Sequence, residues 1–518
     1  MTHAAMLAFP LVAWLFFVRL PFATAIVASM LLGFLFLPSA YSIAIPVLPN
    51  LDRATLPLLV TLGLALFYGA RRDGPHRPEV AMGDPPTILP GFFPKIGGAH
   101  IFAGIALLGS VGTWFANTGP LIVAETVRQG LTLYDVLNEI QQLILWFLTL
   151  VLGWKFLADE KAQRTILMLM AGAVLGYSLL TLVEVRLAPQ LHIWVYGYFP
   201  HDFLQHIRGG SFRPVVFMPH GLVLSLFLCM SALAIVAYMR AIDGDRRVLY
   251  FFAFCWVLVV LLLSRSLGAV LIAMLIVPSL FLFNARWQTF VAAAIAFLVV
   301  AYPVARALGI SPLTRVAAAV EPYAQSRANS LNFRLENEED VIAHTAAKPL
   351  FGWGGYNRGA VYSETGRSIS VRDGFWLVQY SQSGWFGYVG IFGLLTLGGF
   401  GLAARAIRRP PSLAASGLCL VLAANLMDLI PNSGLTSLTW LIAGSLLGRW
   451  QLERSSSAVV VGTGATAGPA RSRRPRADAG LAAIDQQPAT TPRTANEDAP
   501  EVRRYSRFKP RPRGRSRA

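Results

Sequence analysis

The stretch Val248-Leu-Tyr-Phe-Phe-Ala-Phe-Cys-Trp-Val-Leu-Val-Val-Leu-Leu-Leu263 decides the fold class. It carries no charge and almost no polar group. Arg246-Arg247 precede it, Ser264-Arg265-Ser266 follow it, and a second apolar run starts at once. A membrane-spanning helix needs roughly 20 mostly apolar residues. The pair therefore reads as two membrane helices joined by a tight turn. Working outward, comparable runs predict helices near 5–20, 21–38, 55–70, 99–116, 138–157, 164–186, 214–239, 247–263, 266–283, 287–308, 384–404, 413–430 and 434–449. Arg19-Leu-Pro21 separates the first two runs, which are two short spans or one kinked span. The count is twelve or thirteen.

Composition agrees. Of 518 residues, 55% are hydrophobic and 14% charged, and mean hydropathy is +0.54. A soluble domain usually carries about 25% charged residues. Alternating strands of about ten residues, the mark of a membrane barrel, do not occur. The fold class is an all-α polytopic membrane protein. Cys229, Cys255 and Cys419 lie in apolar runs and act as small hydrophobes, with no disulfide or metal-ligand spacing. The N-terminus lacks a signal-peptide pattern, so the first helix is expected to stay as an anchor.

Four regions follow: an N-terminal bundle over 1–308, a large loop over 309–383, C-terminal helices over 384–450 and a tail over 451–518. The loop holds Arg315, Arg327, Arg334, Lys348, Arg358, Arg367 and Arg372 against Glu321, Glu336, Glu338, Glu339, Asp340, Glu364 and Asp373. Lipid cannot host these side chains, so the loop faces water. Its segment Pro349-Leu-Phe-Gly-Trp-Gly-Gly-Tyr356 is too rich in apolar groups for disorder, and the loop reads as an ordered cap. The tail carries 14 Lys/Arg against 6 Asp/Glu and has too few large apolar residues to fold. It is a solvated basic arm, or it binds membrane lipids or another polyanion.

The net charge is +17. Much of it sits in connectors: Arg71-Arg72, Lys155 to Arg164, Arg240 with Arg246-Arg247, Arg286, and Arg405 with Arg408-Arg409. These fall on alternate connections together with the tail, the positive-inside pattern rather than a nucleic-acid surface. They predict a cytoplasmic C-terminus. Segments 39–54, 117–137, 187–213, 264–266, the large loop and 431–433 fall on the opposite side. Arg265 is the exception among the cations. It either snorkels to head groups or faces a water-filled cavity.

Four features on that side bear chemistry. They are Arg208-Gly-Gly-Ser-Phe-Arg213 leading to Phe217-Met-Pro-His220; Ser264-Arg265-Ser266; Arg334 to His344; and Phe351-Gly-Trp-Gly-Gly355 with Arg372-Asp373-Gly-Phe-Trp376 and Ser383-Gly-Trp-Phe-Gly387. At helical spacing Arg334 faces Glu338, and Asp340 faces His344. Several guanidinium groups at one cavity suit a diphosphate, because their planar forks pair with phosphate oxygens and stay charged. Fixed cations also stabilise a diphosphate leaving group as its charge grows. The loop has no Asp-x-Asp pattern, so no metal site and no cofactor are expected. His344 beside Asp340 is a candidate base for a sugar hydroxyl, or else an ordinary solvated helix pair. Trp353, Tyr356 and Trp376 offer faces to sugars or pack the cap.

Taken in order, these motifs resemble the superfamily of O-antigen ligases and Wzy-type polymerases, over roughly Arg208 to Arg449. The strongest likeness is at Ser264-Arg265, at Arg334 with Pro349-Leu-Phe-Gly-Trp-Gly, and at Gly384-Trp-Phe-Gly387. Pro46-Val-Leu-Pro-Asn-Leu-Asp-Arg53 and Asp428-Leu-Ile-Pro-Asn432 look like an exopolysaccharide-polymerase subgroup. The resemblance implies a bacterial inner-membrane protein that moves a glycan from an undecaprenyl-diphosphate carrier to a glycan or lipid acceptor at the periplasmic face, alongside other polysaccharide-assembly proteins. It implies that Arg213 and Arg265 contact the diphosphate. The family's usual His-Asn pair before the post-loop helix is replaced here by Asp373-Gly374, so Asp373 or His344 is the candidate catalytic group. Arg334 and Trp376 are candidate substrate contacts. The alternative function is a transporter or flippase of a lipid-linked oligosaccharide.

Overall fold

The computed structural model describes residues 1–45, 49–72, 87–208, 210–311, 321–322 and 325–464. Pro46–Leu48, Arg315 and the tail beyond 464 lie outside the described residues, as do the side chains of Arg71, Arg72, Arg208 and Arg327.

The expected helices are present. In chain order they are α1 (Thr2–Arg19), α2 (Phe22–Phe36), α3 (Thr55–Arg72), α4 (Gly97–Phe115), α5 (Leu133–Phe156), α6 (Glu160–Leu187), the short α7 (Leu191–Tyr196), α8 (Gly221–Ala241), α9 (Arg246–Leu263), α10 (Leu267–Leu282) and α11 (Ala285–Ala307). The cap helix α12 (Gln325–Thr345) follows, then α13 (Phe375–Ala406), α14 (Leu413–Asp428) and α15 (Ser437–Gly464). Among the described residues eight helices are long and apolar enough to cross a membrane, and four shorter apolar helices join them. Side-chain caps fix several starts: Asp159 accepts from the Ala162 amide, and Thr132 and Asp135 form a capping box that starts α5 earlier than its apolar run.

Helix α8 is the centre. It is buried almost all round, as expected of a helix apolar on every face, and packs against α6, α9, α10 and α14. Elsewhere small residues let backbones meet, as where Gly153 of α5 crosses Gly444 of α15.

The segments expected on one side do touch each other. The Ser39 amide donates to His192 Nε2 at 3.4 Å, and Asn117 Nδ2 donates to the Gly352 carbonyl at 3.0 Å. Arg213 Nη2 donates to the Arg265 carbonyl at 3.3 Å, and Ser433 Oγ to the Asp373 carbonyl at 2.7 Å. The cation-rich connectors meet at the opposite end, where Lys155 Nζ donates to the Leu89 carbonyl at 2.9 Å and Arg405 forms an ion pair with Glu453 at 2.8 Å.

Backbone groups near the loop end are satisfied by buried charges. The Glu184 carboxylate, at the end of α6, accepts from the Leu191, Val215 and Val216 amides at 3.0, 2.7 and 2.6 Å. Arg53 donates to the carbonyls of Phe34 and Phe217 and to Ser39 Oγ. Together they fix the chain that leads from a two-stranded hairpin, β1 (Ile207–Arg208) with β2 (Ser211–Phe212), into α8.

Removing the carboxylate in Glu184→Ala leaves three buried amides unpaired. A stability loss on the order of 3 kcal/mol is expected, read as a lower melting temperature in detergent, with Glu184→Gln falling between that variant and wild type.

Candidate functional site

The cap is tied to the bundle by main chain lying on main chain. Trp353 and Gly354 amides donate to the Ser381 and Gln382 carbonyls at 2.9 and 2.8 Å, and Trp385 and Phe386 amides donate back to Pro349 and Leu350. A Cβ on Gly352 would lie 2.6 Å from the Gln382 carbonyl carbon, and one on Gly384 would lie 2.3 Å from that of Leu350. Gly384 also takes φ +60°, a break inside α13. The two glycine motifs seen in the sequence are therefore the two halves of one joint. The helix expected from 384 starts at Phe375, because Gln379 to Ser383, though polar, remains helical up to this break.

Cations of the cap are held mostly by carbonyls and amides. Arg358, 2% exposed, donates to the carbonyls of Trp353, Gln129 and Gly119 at 3.1, 2.7 and 3.1 Å. Arg372 reaches Ser381 Oγ and Asn357 Oδ1. Glu338 accepts from Tyr302 and from Arg306 of α11 at 2.8 and 3.1 Å, not from Arg334. Arg334 instead pairs with Asp373 at 3.5 Å and donates to the Pro431 carbonyl at 3.2 Å.

Arg213 and Arg265 meet at the starts of α8 and α10. Arg213 is buried, and its methylenes fill the space that a Cβ on Gly221 would need, at 2.4 Å. Arg265 is exposed in the α9–α10 turn with φ +58°, a left-handed conformation that costs a non-glycine residue about 1–2 kcal/mol. Ser225 Oγ donates to Ser264 Oγ at 2.9 Å and ties that turn to α8.

The remaining candidates are placed apart. Asp373 is half-exposed beside Ser433, which lines a cavity of about 210 Å³ shared with Arg53, Pro219 and Val223. His344 lies flat on Trp353, ring centroids 4.5 Å apart, with Nε2 3.3 Å from the Arg358 carbonyl. No ion pair joins it to Asp340 among the described residues. Burial, with Arg372 and Lys348, pushes its imidazole below the usual range, the Arg358 carbonyl opposing. Trp376 is fully buried edge-on to Tyr302, so it has no ring face open to a sugar.

Residues 250–374 match the family model described as O-antigen ligase. Over that span, about a quarter of the chain, the sequence is similar to O-antigen ligases. No curated protein matches the chain. The matched segment runs from α9 to the residue before α13, so it contains Arg265, Arg334, His344 and Asp373, while Arg213 and Trp376 lie outside it.

The sequence reading missed two groupings. His201, His206 and His220 bring one ligand atom each within 4.8 Å of one another. However, His220 Nδ1 accepts from the Leu222 amide at 3.0 Å and His206 Nε2 from the Gly221 amide at 3.4 Å, so these ring lone pairs cap α8. The second is a polar stripe on α5, Asn138, Glu139 and Gln142, whose one-turn spacing is a visible signal of an inward polar face.

Two outcomes follow. Gly384→Ala should undock the cap, seen as rapid limited proteolysis between 346 and 374 where wild type resists. His344 titrates lower in the folded protein than in the unfolded chain. Its contribution is thus intact above the unfolded value of about 6.5 and is lost as pH falls through the folded value. Melting between pH 7.5 and 5.5 should drop less for His344→Gln than for wild type.

Proposed function

We propose that this protein transfers a glycan from undecaprenyl diphosphate to an acceptor hydroxyl at the periplasmic face of a bacterial inner membrane, with its C-terminus in the cytoplasm. The observation that carries this reading is the contact of the Arg213 guanidinium with the Arg265 backbone, in a chain whose segment 250–374 matches the O-antigen ligase model. A family match to a ligase gives no support to the transporter alternative.

In the proposed step the bond between the anomeric carbon and the diphosphate breaks. The carrier diphosphate leaves with the electron pair and gains negative charge. Arg213 and Arg265 stabilise that charge, and the loop-end setting spares them from reorganising during the reaction. The acceptor oxygen bonds to the anomeric carbon and its proton passes to a base. Asp373 suits that role better than His344, because it is half-exposed and lines a small pocket with Arg334 and Pro431, while the His344 ring is stacked on Trp353. Arg334 orients the Asp373 carboxylate. The charge work is done by guanidinium groups, so we propose a metal-independent reaction. Polymerase or ligase is decided by the acceptor. The exopolysaccharide-like motifs favour a polymer that grows by whole repeat units, in contact with other assembly proteins.

Arg265→Ala and Arg213→Ala, at normal protein level, should each lower transfer by roughly a hundredfold, as loss of a charged transition-state contact does. Arg265→Lys should keep more activity than Arg265→Ala. The measurement is elongation of a purified lipid-linked repeat unit. Wild-type product length from both alanine variants would refute the diphosphate role.

A further inference from the structure

A second cavity, of about 380 Å³, opens between α4, α5 and α13. That size falls within the roughly 300–1,000 Å³ typical of small-molecule sites. It shares Gln142 and Trp146 with the smaller cavity at Pro219, Val223 and Ser433. The two spaces therefore follow one another, from the start of α8, where Arg213 packs, to the cap at Tyr356.

The wall of the larger cavity has a distinct chemistry. The side-chain amides of Gln142, Gln379 and Gln382 line it, and none bonds to another group among the described residues. Gln379 is only 8% exposed. Gln382 is half-buried and Gln142 is open to the cavity; three amides that face one space without a protein partner leave their donors and acceptors to a ligand there. An amide presents two donors and an acceptor in one plane without net charge. That pattern fits neighbouring hydroxyls on a sugar ring. Glu139 adds an acceptor, held in place by Ser383 Oγ at 2.8 Å. Trp114 and Tyr356 supply aromatic faces that receive the C–H faces of a pyranose. Tyr356 is anchored by its hydroxyl to Asp135 at 2.5 Å.

Charge narrows the ligand further. Among the described residues the lining includes Asp135 and Glu139 and no Lys or Arg. An anion is repelled here, so neither a diphosphate nor an acidic sugar belongs in this cavity.

We infer that this cavity is a subsite for uncharged pyranose units of the glycan being joined, and the inference rests on the glycan-transfer reading given above. It holds sugars at a distance from the arginine pair, so that the strand is positioned without contact with the diphosphate.

The test uses the full chain in nanodiscs and the neutral oligosaccharide released by mild acid from the source cells' own lipid-linked glycan. Binding is read by tryptophan fluorescence and calorimetry. The double variant Gln142→Ala, Gln379→Ala should bind at least about tenfold more weakly, the effect of losing even one good hydrogen bond. Gln142→Glu keeps the shape, guards against misfolding of the double variant, and should weaken binding in the same direction. An oligogalacturonate of equal length should leave the fluorescence unchanged. In the transfer assay the variants should raise KM by a similar factor with kcat little changed. A rise confined to the acceptor's KM places the acceptor strand in the subsite, and a rise confined to the donor's KM places the donor glycan there. Unchanged affinity and unchanged KM for both substrates, in variants that melt like wild type, would overturn the subsite while leaving the transfer reading intact. Oligosaccharide binding that the variants abolish, in a protein that transfers nothing, would do the reverse. Binding of the oligogalacturonate would overturn the restriction to uncharged sugars.

Discussion

Backbone-to-backbone contact at Gly352 and Gly384 is the constraint on which the loop end of this protein depends. Side chains at either position would force the cap off α13. Because the chains lie so close, four main-chain hydrogen bonds form across the joint. Those bonds fix Ser381 to Phe386, and with them Ser383 against Glu139 and the Gln382 amide toward the cavity. On the other strand they fix Trp353, whose ring carries His344 on one side and lies within reach of the Lys348 ammonium, 4.4 Å from its centroid. One close approach thus sets both the cap's position and the geometry of the wall beneath it.

A second theme is how buried charge is accommodated. Glu184, Arg53 and Arg358 are each matched to several backbone groups rather than to one opposite charge. A charged group that satisfies many backbone dipoles is stabilised by them and at the same time fixes irregular chain that no helix or sheet could organise. The loop end is full of such chain, whereas the helices inside the membrane satisfy their own backbone. Arg306 with Glu338 is an exception, a buried ion pair that binds the cap helix to α11.

How legible was this in the sequence? Among the described residues, each helix of membrane length lies on an apolar run that the sequence displays, since burial in lipid demands a continuous stretch that nothing else mimics. The set of segments at the loop end followed from where Lys and Arg sit. Pairings were less legible. Helical spacing suggested Arg334 with Glu338, but Arg334 turned to Asp373, dozens of residues away in sequence, and Glu338 turned to Arg306. Local spacing cannot encode a partner brought by tertiary packing. The first turns of α13 were read as loop because Gln379, Ser381, Gln382 and Ser383 are polar. They are helical, and two of them face a polar cavity rather than lipid. Trp376 looked like a sugar platform from its neighbours in sequence, but its burial is set by α11 and α13 together.

The glycine joint also bears on how the cap can be handled as an object. Its strands are completed by carbonyls of α13, its Arg358 by carbonyls of the chain after α4, and its helix by Arg306 of α11. Cut free, it would carry away a guanidinium, a carboxylate and a glycine-rich edge, each stripped of its complement. It is not an autonomous module docked on a membrane bundle but the irregular end of the bundle itself, and a soluble fragment of it would be a poor stand-in for the whole.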